Sequence, residues 1–292
     1  MARQLDYTPV PFGDDNHAWV ISDDACAIVV DPGQAEPVVA FCRSRGLVVS
    51  AVLVTHHHGD HTGGVAALLD ACGRKQAPVY GPSLAPIACV TRHVGAGCVV
   101  EVAAPAFSAS VMATPGHTND HLCFYQAGRA GQPGHLFSGD TLFASGCGRL
   151  LEGTGEEMLA SLDAIARLPR STLVHCAHEY TLSNIRFSRV CEPGNRHTER
   201  WMAEATQLRL AGRPTIPTTI GHELRVNPFL RAHRHDIHDL LIERFGVPVP
   251  NRLAAFVLLR AWKDVFQDEY RAITEKWAPG LLHHGEIRRS QV

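Results

Sequence analysis

One short segment of the chain concentrates side chains that can bind metal ions. Residues 55–64 read THHHGDHTGG and supply four such side chains: His56, His58, Asp60 and His61. Neutral imidazoles and carboxylates are common protein ligands of zinc, iron and manganese. In an extended chain His56 and His58 point the same way, and Gly59 then lets the chain turn sharply. This spacing suits two neighbouring metal ions better than one, and it predicts hydrolytic metal chemistry.

Three further segments place a potential ligand directly after a predicted strand. TPGH, SGD and CAH end in His117, Asp140 and His178. In layered α/β folds, functional groups gather in loops at the ends of strands. We therefore expect these three side chains to converge with the first segment at one edge of the sheets. A lone HxH pair would be a weak signal, whereas seven ligands in four spaced segments strongly indicate a metal site.

Alternating strand and helix patterns position these segments. Apolar runs closed by turn residues predict strands at 27–30, 48–55, 79–80, 99–102, 110–114, 121–125, 135–138 and 172–176, with the last of these as the final strand. Helices are predicted after Gly63 and Gly64 and over 158–168, where Pro169 ends the pattern. This alternation predicts a layered α/β domain.

The pattern changes after Tyr180. Helices are predicted at 182–190, 199–210, 235–245 and 252–270, with a loop rich in Gly, Pro and Thr at 211–221 and no strand. We therefore predict two domains, a layered domain over 1–180 and a smaller helical domain over 181–292.

Composition excludes several classes of protein. The chain has 292 residues and a net charge of −2, which gives no reason to expect nucleic acid or an anionic membrane as a partner. No apolar run reaches the roughly 18 residues of a membrane span, and the first residues lack the apolar core of a secretory signal. Nine cysteines without a CxxC pair fit a reducing compartment. We therefore expect a cytoplasmic protein, and we expect it to be a monomer.

The four ligand segments together resemble the metallo-β-lactamase superfamily. The resemblance implies an αββα sandwich with a dinuclear metal site in its cleft. It implies that the first metal ion is held by His56, His58 and His117, the second by Asp60, His61 and His178, and that Asp140 bridges the two. The ions are expected to be divalent, with zinc first and iron or manganese as alternatives, because the ligand set does not choose among them.

Other segments resemble the glyoxalase II family, the hydroxyacylglutathione hydrolases. They are VPFGDDNHAWVI near the start, GDTLFASGCGRLLEGT (139–154), AHEYTLSN (177–184), NPFLR (227–231) and RAWKDVF (260–266). The last two fall in the predicted helical domain, which generic superfamily members lack. The resemblance implies hydrolysis of S-D-lactoylglutathione and related 2-hydroxyacyl-glutathiones by a hydroxide held between two metal ions. The products are D-lactate and glutathione, in the last step of methylglyoxal detoxification.

The resemblance also assigns contacts to the substrate, a small-molecule glutathione thioester. It implies that Arg260 and Lys263, three positions apart and so on one helix face, clamp a glutathione carboxylate. Tyr180 is expected to hydrogen-bond to the peptide. Arg149 stands where the family commonly has Lys, which keeps the charge and alters the geometry. Leu151 stands where many members have Tyr, so one hydroxyl contact is expected to be absent.

Three other functions compete with this interpretation. Another superfamily hydrolase, such as a lactonase or a β-lactamase, would share the metal ligands but give no role to Arg260 and Lys263. A persulfide dioxygenase with one iron would not need the second set of ligands or the helical domain. A non-enzymatic metal-binding protein would show no preference for thioesters. Of the remaining histidines, His57 and His175 are predicted to be structural.

Overall fold

Two six-stranded sheets form the centre of the molecule. The structure is a computed structural model that describes residues 5–129 and 131–277. The first sheet has the order β1-β2-β3-β4-β5-β6, with strands at Asp6–Phe12, Asn16–Ser22, Cys26–Val30, Val48–Leu53, Val79–Pro82 and Arg92–Val94. The second sheet contains β7 (Val99–Val102), β8 (Phe107–Ala113), β9 (Leu122–Gln126), β10 (His135–Gly139), β13 (Leu173–Cys176) and β14 (Thr218–Thr219). Its order is β14-β13-β10-β9-β8-β7, and a separate hairpin pairs β11 (Leu142–Phe143) with β12 (Gly146–Cys147).

Helices cover the outer faces of both sheets. In chain order α1 to α9 are Ala35–Arg45, Gly59–Thr62, Val65–Ala71, Gly155–Ala166, Thr181–Cys191, Arg196–Leu210, Ile220–Val226, His235–Phe245 and Arg252–Trp277. The start of α4 is fixed by a capping box, in which Thr154 and Glu157 satisfy each other's backbone N–H groups. Among the described residues, no helix combines the length and apolar character that a membrane span requires.

Three hydrophobic clusters give the layers. The inner faces of the two sheets meet around side chains such as Trp19, Leu53 and Phe124. The outer face of the first sheet packs on α1 and α3. The outer face of the second sheet packs on α4 and on the later helices, through side chains such as Met158 and Phe256. This arrangement confirms the predicted αββα sandwich with helices in the C-terminal part, and burial of these apolar faces stabilises it.

The structure corrects the sequence-based assignment after Tyr180. Residues 172–176 are not the final strand, because Thr218 and Thr219 pair antiparallel with β13. The 211–221 segment is therefore not wholly a loop, and the unpredicted α7 begins inside it, at Ile220. A two-residue strand has too few side chains to show an alternating pattern, so only its backbone pairing reveals it. The helix α1 was also not predicted, whereas α8 has the predicted bounds.

Parallel pairing brings the candidate ligands to one edge of the sandwich. β3 and β4 run parallel in the first sheet, and β10 and β13 run parallel in the second. The carboxyl ends of parallel strands meet at the same edge, where functional loops collect. An isolated backbone bridge between Asn16 and His178 joins the two sheets at that edge.

Candidate metal centre and substrate cleft

The loop after β4 carries the first candidate ligands into the cleft. Asp31, directly after β3, accepts hydrogen bonds from the backbone N–H of Thr55 at 2.8 Å and from its hydroxyl at 2.7 Å. The chain then turns, and Nε2 of His56 lies 3.0 Å from Nδ1 of His58. Asp31 therefore fixes the direction in which the loop leaves the sheet.

Three imidazoles form the first cluster. His117 follows β8, and its Nε2 lies 3.2 Å from Nδ1 of His58. Candidate ligand atoms of His56, His58 and His117 all lie within 4.8 Å of one another. Burial keeps the pKa of His56 well below its usual value, and burial and the neighbouring His117 lower the pKa of His58. Both rings are therefore neutral near pH 7, which is the form that binds a metal ion.

Asp60, His61 and His178 form the second cluster. Asp60 and His61 lie on the single turn α2, where the sequence predicted only a sharp bend, and His178 follows β13. Oδ2 of Asp60 lies 3.5 Å from Nε2 of His178 and 3.7 Å from Nε2 of His61. The one-turn helix places two neighbouring side chains of the sequence in the same cluster.

Asp140 lies between the two clusters. Its Oδ1 is 3.4 Å from Nε2 of His178 and 3.5 Å from Nε2 of His61, and its Oδ2 is 3.3 Å from Nε2 of His117. Burial alone would raise the pKa of Asp140, but His178 and His61 hold it well below the usual range. The carboxylate is therefore ionised and faces both clusters.

The donor set fits two divalent cations. Nε2 of His61 and Oδ1 of Asp140 are buried and have no hydrogen-bond partner. Unpartnered buried polar atoms cost free energy, and the lone pairs of several imidazoles facing one another need a cation between them. Five imidazoles and two carboxylates match the ligand preferences of zinc, iron and manganese.

Outer polar contacts, three hydrogen bonds and the ion-pair contact of His61 with Asp31, orient four of the five rings. Their second ring nitrogens face Oγ1 of Thr55 at 3.0 Å for His56, Oδ2 of Asp31 at 3.0 Å for His61, the carbonyl oxygen of Arg149 at 2.9 Å for His117, and Oδ1 of Asp15 at 2.9 Å for His178. Such partners fix the tautomer and raise the basicity of a ligand. Asp15 and Asp31 were not identified from the sequence, since a single carboxylate near a turn has no distinctive pattern.

The other histidines of this region bond within the protein. Nδ1 of His57 lies 2.9 Å from Oδ1 of Asp120, on the side away from the first cluster. His175 is buried, and its Nε2 lies 2.9 Å from Nδ1 of His135. His121, which the sequence did not single out, accepts a hydrogen bond at 3.0 Å from the backbone N–H of Asp140. His121 therefore helps to place the central carboxylate.

A cleft of about 380 Å³ opens beside Asp140 and His117. All four predicted substrate contacts line it: Arg149, Tyr180, Arg260 and Lys263. The Tyr180 ring stacks on His178 with 4.8 Å between ring centroids and remains 36% exposed. The cleft therefore joins the candidate ligands to a group of cations.

Arg260 and Lys263 are held firmly on α9. Arg260 is only 5% exposed and donates from Nη1 to the carbonyl oxygen of Cys147 at 2.8 Å and from Nη2 to Asp264 at 2.9 Å. Lys263 donates from Nζ to Oγ of Ser183 at 3.0 Å. Burial and the nearby Arg260 lower the pKa of Lys263 to about 8. Both side chains therefore carry positive charge near pH 7 in a partly dry cleft, where an anion is attracted strongly.

Two family models match adjoining parts of this chain. Residues 12–89 and 100–178 match the metallo-β-lactamase superfamily, and residues 179–266 match the hydroxyacylglutathione hydrolase C-terminus. The chain is 47% identical over 268 residues to a hydroxyacylglutathione hydrolase from Cupriavidus taiwanensis, covering 90% of this chain and 100% of that one. The chain belongs to the hydroxyacylglutathione hydrolase family. A member from Chromohalobacter salexigens is 44% identical, with the same coverage.

Solved structures share the fold of this hydroxyacylglutathione hydrolase family member. ETHE1 from Myxococcus xanthus matches with a TM-score of 0.58 and 25% identity, over 88% of this chain and 99% of that one. The B3 metallo-β-lactamase BLEG-1 matches with a TM-score of 0.57 and 26% identity, over 77% and 99%. TTHA1623, solved in a di-iron-bound form, matches with a TM-score of 0.52 and 26% identity, over 76% and 99%. These three proteins therefore share the fold of this chain.

Proposed function

We propose that this protein hydrolyses the thioester bond of S-D-lactoylglutathione and related 2-hydroxyacyl-glutathiones, releasing D-lactate and glutathione. The observation that carries the proposal is the position of Arg260 and Lys263 in the cleft that also holds His117 and Asp140. A hydrolytic centre alone names no substrate, whereas two cations beside it select a substrate with a distant anionic group. Family membership supports the same reaction, the last step of methylglyoxal detoxification.

The seven clustered side chains are proposed to hold two divalent metal ions. His56, His58 and His117 would hold the first, Asp60, His61 and His178 the second, and Asp140 would contact both. When bound, the ions supply a water acidic enough to react at neutral pH and a Lewis acid for the thioester carbonyl. Zinc is the first candidate, with iron and manganese as alternatives.

The protein's own residues keep this centre rigid before the substrate arrives. Asp31 lies 3.0 Å from Nδ1 of His61, and Asp15 lies 2.9 Å from Nδ1 of His178, so both rings are prevented from rotating. In the neutral form that binds a metal ion through Nε2, His178 carries its proton on Nδ1 and donates it to Asp15. Rigid ligands reduce the reorganisation needed in the transition state.

Glutathione is proposed to bind along the cleft with a carboxylate at Arg260 and Lys263. Tyr180 is the second residue after His178, so its hydroxyl can hydrogen-bond to the glutathione peptide close to the reacting thioester. Arg149 adds a further cation at the cleft. Because these side chains bind the glutathione part and not the reacting carbonyl, they orient the substrate and determine its affinity.

The roles of these residues assign a function to each predicted domain. We propose that residues 1–180 form the catalytic domain and residues 181–292 the substrate-binding domain.

We propose that the protein works in a reducing compartment, the cytoplasm, because all nine cysteines are free thiols. We also propose that the monomer is active, since one chain supplies every residue of the site, and sedimentation analysis during turnover tests this.

A substrate comparison tests the proposed function. The purified protein, with its metal content measured on the same sample, is assayed on S-D-lactoylglutathione, on a simple lactone and on a β-lactam. We expect kcat/KM to be highest for the glutathione thioester, because only that substrate meets the cations of the cleft. Equal or higher kcat/KM on the lactone or the β-lactam would contradict the proposal and favour another hydrolase of the same fold.

A further inference from the structure

The hairpin β11–β12 connects the proposed metal centre with the glutathione cleft. It begins two residues after Asp140, and its last residue, Cys147, offers the carbonyl oxygen that accepts from Nη1 of Arg260. The hairpin therefore contacts both parts of the site, and its exact position decides where the Arg260 guanidinium lies.

Side chains from the later helices hold the backbone of this hairpin. Nδ2 of Asn184 donates to the Ala144 oxygen at 3.0 Å, Oγ of Ser188 to the Ser145 oxygen at 3.4 Å, and Nδ2 of Asn227 to the Gly146 oxygen at 3.0 Å, while Oε2 of Glu223 accepts from the Ser145 N–H at 2.7 Å. With Arg260 on Cys147, four consecutive residues are each held by a side chain of the helical part. Such a dense set of contacts fixes a short loop in one conformation.

Glu223 is the exceptional member of this set. Its side chain is fully buried, and burial raises its pKa to about 7. Ionising a buried carboxyl costs free energy that a neutral amide would not cost. The residue that it holds, Ser145, has a φ of 59°, a strained left-handed conformation for a residue with a Cβ. A buried carboxyl that accepts at 2.7 Å from a strained backbone N–H indicates a requirement on the position of the hairpin.

We propose that Glu223 is a positioning residue for glutathione binding, which holds the Ser145 N–H and thereby sets the Cys147 carbonyl that orients Arg260. Asn227 assists, because its Nδ2 donates both to Glu223 at 3.0 Å and to the hairpin. This inference rests on the proposed function, since it assigns Arg260 to the substrate carboxylate.

The contacts of Arg260 explain why its orientation depends on the hairpin. Nη2 is held by Asp264, on the same helix and one turn later, so this contact moves with α9. Outside α9, the Cys147 carbonyl accepts a hydrogen bond from the guanidinium, whose carbon also lies 5.1 Å from the centre of the Phe229 ring, while Nε has no hydrogen-bond partner among the described residues. If the Cys147 carbonyl shifts, the guanidinium turns with it and presents a different edge to the substrate.

The test compares two thioesters with the same lactoyl group. S-D-lactoylglutathione carries the carboxylates that Arg260 would bind, whereas the lactoyl thioester of N-acetylcysteamine carries none. In Glu223→Leu we expect KM for the glutathione thioester to rise about tenfold, because a charge-assisted contact is partly lost. We expect kcat/KM for the smaller thioester and the metal content to stay within about twofold of the wild type.

Two variants at matched positions serve as controls. Glu223→Gln keeps an acceptor oxygen for the Ser145 N–H and should restore the wild-type KM. Glu192→Leu removes another buried carboxylate of the helical part, one that pairs with Arg231 at 2.7 Å and, among the described residues, has no hydrogen bond to the hairpin. It should leave the ratio of kcat/KM for the two substrates unchanged, even if it lowers thermal stability.

A second variant that displaces the hairpin tests the proposal if Glu223→Leu does not fold. A Cβ added at Gly146 would lie 2.5 Å from Nδ2 of Asn184, so Gly146→Ala displaces the hairpin without changing Glu223. It should show the same selective rise in KM. An unchanged KM in folded Glu223→Leu and Gly146→Ala, or equal losses on both thioesters, would overturn the positioning role. The proposed function is judged separately, by the wild-type preference between the two thioesters.

Discussion

The candidate metal centre and the candidate glutathione cleft are adjacent, because His117 and Asp140 belong to both, but their residues come from the chain in different ways. The metal centre takes four of its seven side chains from residues 56–61, and most of its atoms are buried. The cleft takes Arg149, Tyr180 and Arg260 from distant parts of the chain, and Tyr180 stays partly exposed. A local, buried set of metal ligands determines the type of reaction. A dispersed set of substrate contacts determines which substrate binds, and it can change through few substitutions. Changes in the first region should therefore abolish the reaction, and changes in the second should alter substrate affinity.

The largest effect is expected at the central carboxylate. Asp140→Asn removes the charge that faces both clusters, so we expect kcat to fall on the order of a hundred- to a thousandfold and one metal ion to be lost. Steady-state kinetics and elemental analysis on one sample measure both. Full activity with two metal ions retained would refute the bridging role.

Asp31 tests whether the metal centre depends on its outer hydrogen bonds. Asp31→Asn weakens the acceptor of His61, so we expect metal affinity to fall about ten- to a hundredfold, as measured by competition with a chelator. Asp70→Asn, which removes an exposed partner of Lys75, is the matched control. Equal metal affinity in the two variants would show that Asp31 serves only the fold.

The pH dependence of substrate binding tests the cleft. The pKa of Lys263 is lowered to about 8, so Lys263 is charged below that pH and loses its charge as pH rises through it. We expect kcat/KM for the glutathione thioester to fall about tenfold between about pH 7 and about pH 9. The N-acetylcysteamine thioester should lack this component, and Lys263→Arg should remove it. A fall that persists in Lys263→Arg would assign the titration to another group.

The smallest expected effect is a lower KM for the glutathione thioester, in a variant at Leu151. Leu151 is 51% exposed and lies two residues after Arg149, which lines the cleft, so Leu151→Tyr adds a hydroxyl in this part of the chain without disturbing the core. We expect KM for S-D-lactoylglutathione to fall about two- to fivefold, the value of one ordinary hydrogen bond, with kcat unchanged. Arg149→Lys, which changes geometry but not charge, is the companion variant. An unchanged or higher KM in Leu151→Tyr would show that the hydroxyl finds no partner here.

The sequence predicted the side chains that do the chemistry better than those that hold them. His117, Asp140 and His178 follow strands whose apolar patterns are clear, so their convergence could be expected. Asp15 and Asp31 hold ligand rings through single hydrogen bonds, and no periodicity marks such residues. The resemblance to a known family supplied Arg260 and Lys263, since two cations three positions apart are otherwise an ordinary helix surface.

The same contrast holds for the fold. The helix at His235–Phe245 has a strong amphipathic pattern, and its predicted bounds were confirmed. The one-turn helix at Gly59–Thr62 and the strand at Thr218–Thr219 were missed, because tertiary contacts define elements of this length. The contacts of Glu223 were also invisible, since they join residues 78 positions apart.

The most direct test of the central claim is the double variant Arg260→Ala with Lys263→Ala, assayed on S-D-lactoylglutathione and on the N-acetylcysteamine thioester. We expect KM for the glutathione thioester to rise about a hundredfold, through the loss of two charge-assisted contacts. We expect kcat on the smaller thioester and the metal content to remain those of the wild type. An unchanged KM for the glutathione thioester, or an equal loss on both substrates, would contradict a cleft that selects glutathione beside a separate hydrolytic centre.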